Sequence, residues 1–161
     1  MEYRLDTIFY ATDLGPHGPA VFNHAVGIAQ QFGAKIHVVH VVEPMSEYAH
    51  SLINNYVPPE MLSSLRAEGV ETALREMHNR LEAFCKDQLH ADADKYVADM
   101  RVVEGMPAQT ILTEAKRIGA QLIVLGTHGH SALGEMLMGS VAHKVTIKSP
   151  IPVLLVPIRK D

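Results

Sequence analysis

The chain lacks most of what would tie it to disulfides, membranes or nucleic acid. Its one cysteine, Cys85, excludes an intrachain disulfide framework. No apolar stretch approaches the roughly 20 residues that a membrane-spanning helix requires. The opening Met1-Glu2-Tyr3-Arg4-Leu5-Asp6 has neither the basic start nor the apolar core of a signal peptide, so a cytoplasmic protein is the expectation. Basic residues number 14 against 18 acidic ones, a net charge of -4, and no run of Lys or Arg forms a stripe. That balance argues against nucleic acid as the main partner. Tryptophan is absent as well. No low-complexity tract, internal repeat or linker interrupts the sequence, so residues 1–161 read as one domain long enough to bury a core.

What is present alternates. Thr7 to Thr12 is short, apolar and β-rich, and it ends in the turn cluster Asp13-Leu14-Gly15-Pro16. Ala20, Val21, His24, Ala25, Ile28, Ala29 and Phe32 recur at helical spacing up to Gly33, a good C-terminal stop. Ile36 to Val42 is a nearly continuous β-branched run, suited to a strand covered on both faces. Pro44 to Pro59 is the least regular stretch and reads as a surface excursion. A long helix follows, with Leu74, Met77, Leu81, Phe84 and Cys85 on one stripe. Tyr96 to Val103 is a more polar strand, placed near an edge. Gly105-Met106-Pro107 turns into a helix carrying Ile111, Ala115 and Ile118. Leu122 to Leu125 is a buried strand, a helix starts at Ser140, and Val153 to Val156 is the last strand. Five strands alternating with helices predict an α/β fold: a parallel sheet with helices on both faces.

Between the fourth strand and the last helix stand Gly126, Gly129, Gly134 and Gly139, then Ser140. Glycines permit close backbone approach, and the first N–H groups of a helix lack internal partners, so strand, glycine loop and helix start together build an anion site. The helix dipole contributes about 0.3–1 kcal/mol toward an anion there. The plainer alternative is a structural connection with Ser140 as helix cap, and a capping hydroxyl can serve a phosphate at the same time. Gly134 to Ser140 has the glycine spacing of a P-loop, but Ser140 replaces the lysine that grips the β- and γ-phosphates. G-x-G-x-x-G and G-x-S-x-G are absent. Phosphate binding fits this loop and efficient phosphoryl transfer does not, so no catalytic residue is assigned.

Strand ends supply the remaining candidates, because ligands of such sheets bind beyond the carboxyl ends where the winding reverses. Asp13 leaves the first strand, Val41 lies near the end of the second, and Gly126 leaves the fourth. Asp13 reads equally as a turn residue or as a ligand contact. A carboxylate repels a polyphosphate, so its contact belongs at ribose hydroxyls, a base edge or a bridging cation. Val41 offers its main chain to a base, or is an ordinary strand residue. Among ten histidines, His128 and His130 straddle Gly129, but two ligands do not complete a metal site, and none is assigned. His37 and His40, on opposite faces of one strand, read as packed or edge residues. Cys85 reads as a buried structural thiol.

Gly126-x2-Gly129-x9-Gly139-Ser140 resembles the G-x2-G-x9-G-[S/T] signature of the nucleotide-binding branch of the universal stress protein family. Similar features run along nearly the whole chain: Tyr10-Ala11-Thr12-Asp13, His40-Val41, Val103 to Pro107, and the ending from Pro150 to Val156. The resemblance implies a three-layer α/β/α fold of the adenine nucleotide alpha hydrolase-like kind, with five parallel strands in the order 3-2-1-4-5. It implies ATP as ligand (AMP or ADP as variants), with Mg²⁺ possible beside the phosphates, and a homodimer. By position, Asp13 meets the ribose or adenine region and Val41 pairs with adenine through its backbone, and Ala11 and Thr12 belong to the same nucleotide-binding set. Gly105 and Met106 lie near the ribose, and Gly126, Gly129, His130, Gly139, Ser140 and Val141 surround the phosphates. Ala11 departs from the proline that many members carry, which affects turn stiffness rather than chemistry. The last strand, apolar on both faces yet at the sheet edge, gives the dimer its physical reading: pairing of 153–156 across a two-fold axis covers it. The functional expectation is a nucleotide-responsive stress regulator. A slow Mg-dependent ATPase and a nucleotide-free structural dimer stand as alternatives.

Overall fold

The computed structural model describes residues 2–89, 92–128 and 138–158. The expectations at Gly129 and His130 lie outside them. Five strands form one sheet: β1 (Thr7–Thr12), β2 (Lys35–Val42), β3 (Val97–Glu104), β4 (Leu122–Gly126) and β5 (Val153–Val156). All neighbouring pairs run parallel, in the order β3-β2-β1-β4-β5. The chain thus winds outward from β1 to one edge through β2 and β3, then returns to the other side of β1 for β4 and β5. Helices α1 (Gly18–Phe32), α2 (Glu47–Tyr56), α3 (Pro59–Leu89), α4 (Ala93–Tyr96), α5 (Pro107–Arg117) and α6 (Ser140–Lys148) make the connections.

Alternation along the strands sorts the core into two layers. Ile8, Tyr10, Ile36, Val38 and Val124 pack with Val21, Phe22, Ala25 and Ala29 of α1 and with Leu81 and Cys85 of α3. On the opposite face, Phe9, Val39, Ile123 and Leu125 pack with Ile111 and Ala115 of α5 and Ala142 and Val145 of α6. The result is a three-layer α/β/α sandwich with β1 central, which is why Ile8, Phe9 and Tyr10 in succession are almost wholly buried. Tyr10 and Phe22 lie with ring centroids 5.2 Å apart, and Phe22 and Phe84 5.4 Å apart. Helix ends follow local chemistry. Gly33 and Gly119 adopt positive φ (70° and 66°) just beyond α1 and α5, a conformation that costs glycine least.

The stretch after β2 is more regular than its sequence suggests. Residues 47–56 form α2, which starts because the Ser46 hydroxyl accepts a hydrogen bond from the Ala49 N–H (3.2 Å), with Glu47 in the first turn. No residue of α2 is buried, which leaves the local cap as the clearest signal for where this helix starts. The expected strand Tyr96 to Val103 shifts by one residue to Val97–Glu104, because Tyr96 ends α4. The two sheet edges differ in kind. On β3, Asp99 pairs with His37 (2.7 Å), and Arg101 joins Arg117 around Glu114. On β5, all four residues are apolar, and Ile147 of α6 stands 68% exposed.

Two outcomes test this packing. Phe22→Ala should cost about 3–5 kcal/mol in denaturant unfolding, and a loss below about 1 kcal/mol would contradict its central place. Burial also pushes the Cys85 thiol from its ordinary 9.0 up to about 11, so the folded state holds it neutral where the unfolded chain ionises it. Its stabilising share is therefore complete below pH 9.0 and disappears as pH rises toward about 11. The stability gap between wild type and Cys85→Ala should narrow across that window, and a constant gap would contradict the burial.

Candidate functional site

β1 and β4 are neighbours, but their connections lead to opposite faces: β1 into α1, and β4 toward α6. Beyond their carboxyl ends the chain must part, and a cleft of about 590 Å³ opens there. That size falls within the roughly 300–1,000 Å³ common for small-molecule sites.

The wall on the β1 side is a self-tied turn. Thr12 Oγ1 accepts from the Leu14 N–H (3.0 Å) and Asp13 Oδ1 from the Gly15 N–H (2.8 Å). These bonds hold Leu14 at φ 58°, a strained setting for a residue with a side chain. From β2, His40 Nδ1 lies 2.8 Å from the Thr12 carbonyl oxygen. A carbonyl only accepts, so Nδ1 carries the proton and, in the neutral ring, Nε2 is left as an acceptor. Tyr10 reaches under the turn and donates its hydroxyl to the Gly18 carbonyl (3.1 Å), and burial raises its pKa well above the ordinary value. Asp13 and the exposed Glu43 make this side of the cleft acidic.

The opposite wall is the start of α6. Gly139 is its N-cap and Ser140 its first helical residue, so Ser140 is not the cap that the sequence allowed. Gly139 has no side chain to cap with, and its carbonyl takes the first helical bond, from His143 N–H (2.9 Å). The N–H groups of the first turn are left for other partners, with the positive end of the helix dipole behind them. The cleft therefore has one end suited to hydroxyls and amines and one suited to an anion. Ala11, Val41, Leu125, Val141 and Ala142 give it an apolar middle.

Of the residues singled out in the sequence, Ala11, Thr12, Asp13, Val41, Gly126, Gly139, Ser140 and Val141 line the cleft. Gly105 and Met106 do not. Gly105 N–H is held by the Val42 carbonyl (2.9 Å), Met106 points 60% exposed at the start of α5, and Pro107 takes the place at the wall. Spacing alone missed His40, Thr127 and Ile158, which also line the cleft. His40 had a signal, since parallel register sets it beside Thr12 at the strand ends. Ile158 had none. Its side chain fills the space over Gly126, where a Cβ would come within 2.5 Å of Ile158 Cδ1 and 3.3 Å of Val21 Cγ2. Gly126 thus owes its missing side chain to packing. Among the described residues no three His, Cys, Asp or Glu side chains converge as a metal site would need.

Gly126→Ala should lower stability by about 1–3 kcal/mol by overpacking, and by clearly less when it is introduced into Ile158→Ala. Additive losses in that double-mutant cycle would refute the contact.

Comparison with known proteins agrees with this architecture. The model of the Universal stress protein family matches residues 4–157. A universal stress protein of Thermus aquaticus is 35% identical over 152 residues, covering 93% of this chain and 97% of its own. Universal stress protein YxiE of Bacillus subtilis (strain 168) is 34% identical over 133 residues, 82% of this chain and 85% of its own. The solved structure of protein MJ0577, a universal stress protein of Methanocaldococcus jannaschii, superposes with a TM-score of 0.71 at 26% identity, covering 99% of this chain and 100% of that one. A universal stress protein solved in complex with cAMP shares the fold (TM-score 0.57, 20% identity, 96% of this chain and 98% of that one). A match over residues 4–157, with relatives at this identity and coverage, leaves one conclusion: this chain belongs to the universal stress protein family.

Proposed function

We propose that this universal stress protein binds an adenine nucleotide, ATP first, between β1 and β4, and that occupancy of the cleft is its signal in a stress response. The observation that carries the reading is the start of α6, a helix N-terminus with a glycine cap, opening on a cleft whose far end is acidic. The base and ribose belong at the Asp13 end, with the Val41 main chain at the base. The phosphates belong at Gly126, Gly139, Ser140 and Val141, with Gly129 and His130 as the further candidates that the sequence motif supplies. Mg²⁺ would travel with the phosphates, since among the described residues no three His, Cys, Asp or Glu side chains converge on a cation. The relative solved with cAMP supports a nucleotide in this fold, while its distance leaves the choice of nucleotide to the residues here.

The same reading places the chain in the cytoplasm as one domain over residues 1–161, and as a homodimer through 153–156. β5 supports the dimer: it is an edge strand of four apolar residues, beside the exposed Ile147. The lysine missing from the loop favours binding and release over turnover.

Mass spectrometry of small molecules released from the purified protein should find an adenine nucleotide, and calorimetric titration of emptied protein with Mg·ATP should show one site per chain. Gly129→Val should weaken that binding by at least about tenfold, because the added side chain occupies the space the phosphates need. Undiminished affinity in that variant, in protein of wild-type stability, would place the phosphates elsewhere.

A further inference from the structure

We infer that Thr127 is a positioning residue that makes the exit of β5, at Ile158, part of the nucleotide site. The inference rests on the nucleotide reading above for its ligand, and on the following geometry for its substance. Thr127 uses all three of its polar groups on two separate segments. Its N–H donates to the Val156 carbonyl (3.1 Å), and its Oγ1 accepts from the Ile158 N–H (3.1 Å). Its carbonyl accepts from the Gly139 N–H at 2.7 Å. The first two bonds clamp the end of the edge strand, and the third fixes the cap residue of α6. One residue thus holds the anion-binding helix start and the chain leaving β5 at a fixed spacing.

The side chain continues the arrangement. Ile158, held by its N–H, fills the space over Gly126 and lines the cleft. His128 Nδ1 lies 3.0 Å from Thr127 Oγ1, and the hydroxyl, already accepting from Ile158, has its own proton to give to that nitrogen. A ligand that draws Gly139 and Ser140 toward its phosphates therefore pulls on the carbonyl of the residue that holds Ile158. Displacement of Ile158 in turn removes a wall of the cleft. Coupling of this kind is reciprocal: what the ligand does to the β5 exit, a change at the β5 exit does to ligand affinity.

A plain structural threonine at a strand end predicts something different, namely local fraying at Ile158 with no effect across the loop. Two variants separate the cases. Thr127→Val keeps the shape and both backbone bonds but removes Oγ1, and Thr127→Ser restores the hydroxyl. In hydrogen exchange on the unliganded full chain, Thr127→Val should accelerate the amides of Ile158 and Gly139 together, although the Gly139 acceptor is untouched, and Thr127→Ser should return both to wild-type rates. Mg·ATP added to wild type should slow both amides, and its affinity should fall up to about tenfold in Thr127→Val and recover in Thr127→Ser. Acceleration at Ile158 with Gly139 unchanged would overturn the inference. So would ATP protection at Gly139 that leaves Ile158 unaffected. Wild type that binds no ATP would defeat the nucleotide reading alone, because the exchange comparison without ligand still decides whether Thr127 couples the two segments.

Discussion

The constraint behind this structure is that two hydrogen-bonded parallel strands send their chains to opposite faces of one sheet. β1 must turn into α1 on one side while β4 leads toward α6 on the other, and no backbone can fill the gap between them. Everything at the site answers that divergence. The β1 exit is tied into a turn by Thr12 and Asp13, the carbonyl of Thr12 is satisfied by His40 from the next strand, and the β4 exit is tied by Thr127 to β5. Polar groups that lose ladder partners at strand ends are costly when buried, and these local bonds replace what the ladder gave up.

The fold was legible because its signals are local. Apolar runs of four to eight residues, glycines after helices and a serine or proline at helix starts each act within a few residues of themselves. Strand limits at Thr7, Thr12, Val153 and Val156 emerge as read. The order of the strands was not local, and came from resemblance to a family. α2 was missed because prolines and paired asparagines dominate that stretch, while the bond that starts the helix is one hydroxyl at Ser46. The lining of the candidate cleft was legible in part. Backbone-presenting residues such as Gly139 and Ser140 follow from spacing, whereas Ile158 meets Gly126 only through tertiary packing that no period records. Gly105 and Met106, which the resemblance sets near the ribose, stand outside the cleft lining, where the β2 carbonyl holds the Gly105 N–H and Pro107 forms the wall.

Glycine in this loop thus has two different physical roles. At Gly139 the absent side chain leaves the helix start without a cap of its own. At Gly126 it leaves room for an isoleucine from the far end of the chain. A motif written as a row of glycines conceals that difference, and only the structure separates a glycine that caps a helix from one that makes room for another side chain.

The unlike edges of the sheet carry a consequence for assembly size. β3 bears Asp99 and Arg101, already engaged with His37 and Glu114, and desolvating such charges opposes the addition of another strand. β5, at the opposite edge of the sheet, consists of four apolar residues. A copy that joins through β5 uses up the available border of both molecules at once and presents charged borders outward. If copies pair through β5 as proposed, strand-by-strand growth would stop at two, because only the charged β3 borders would then face outward.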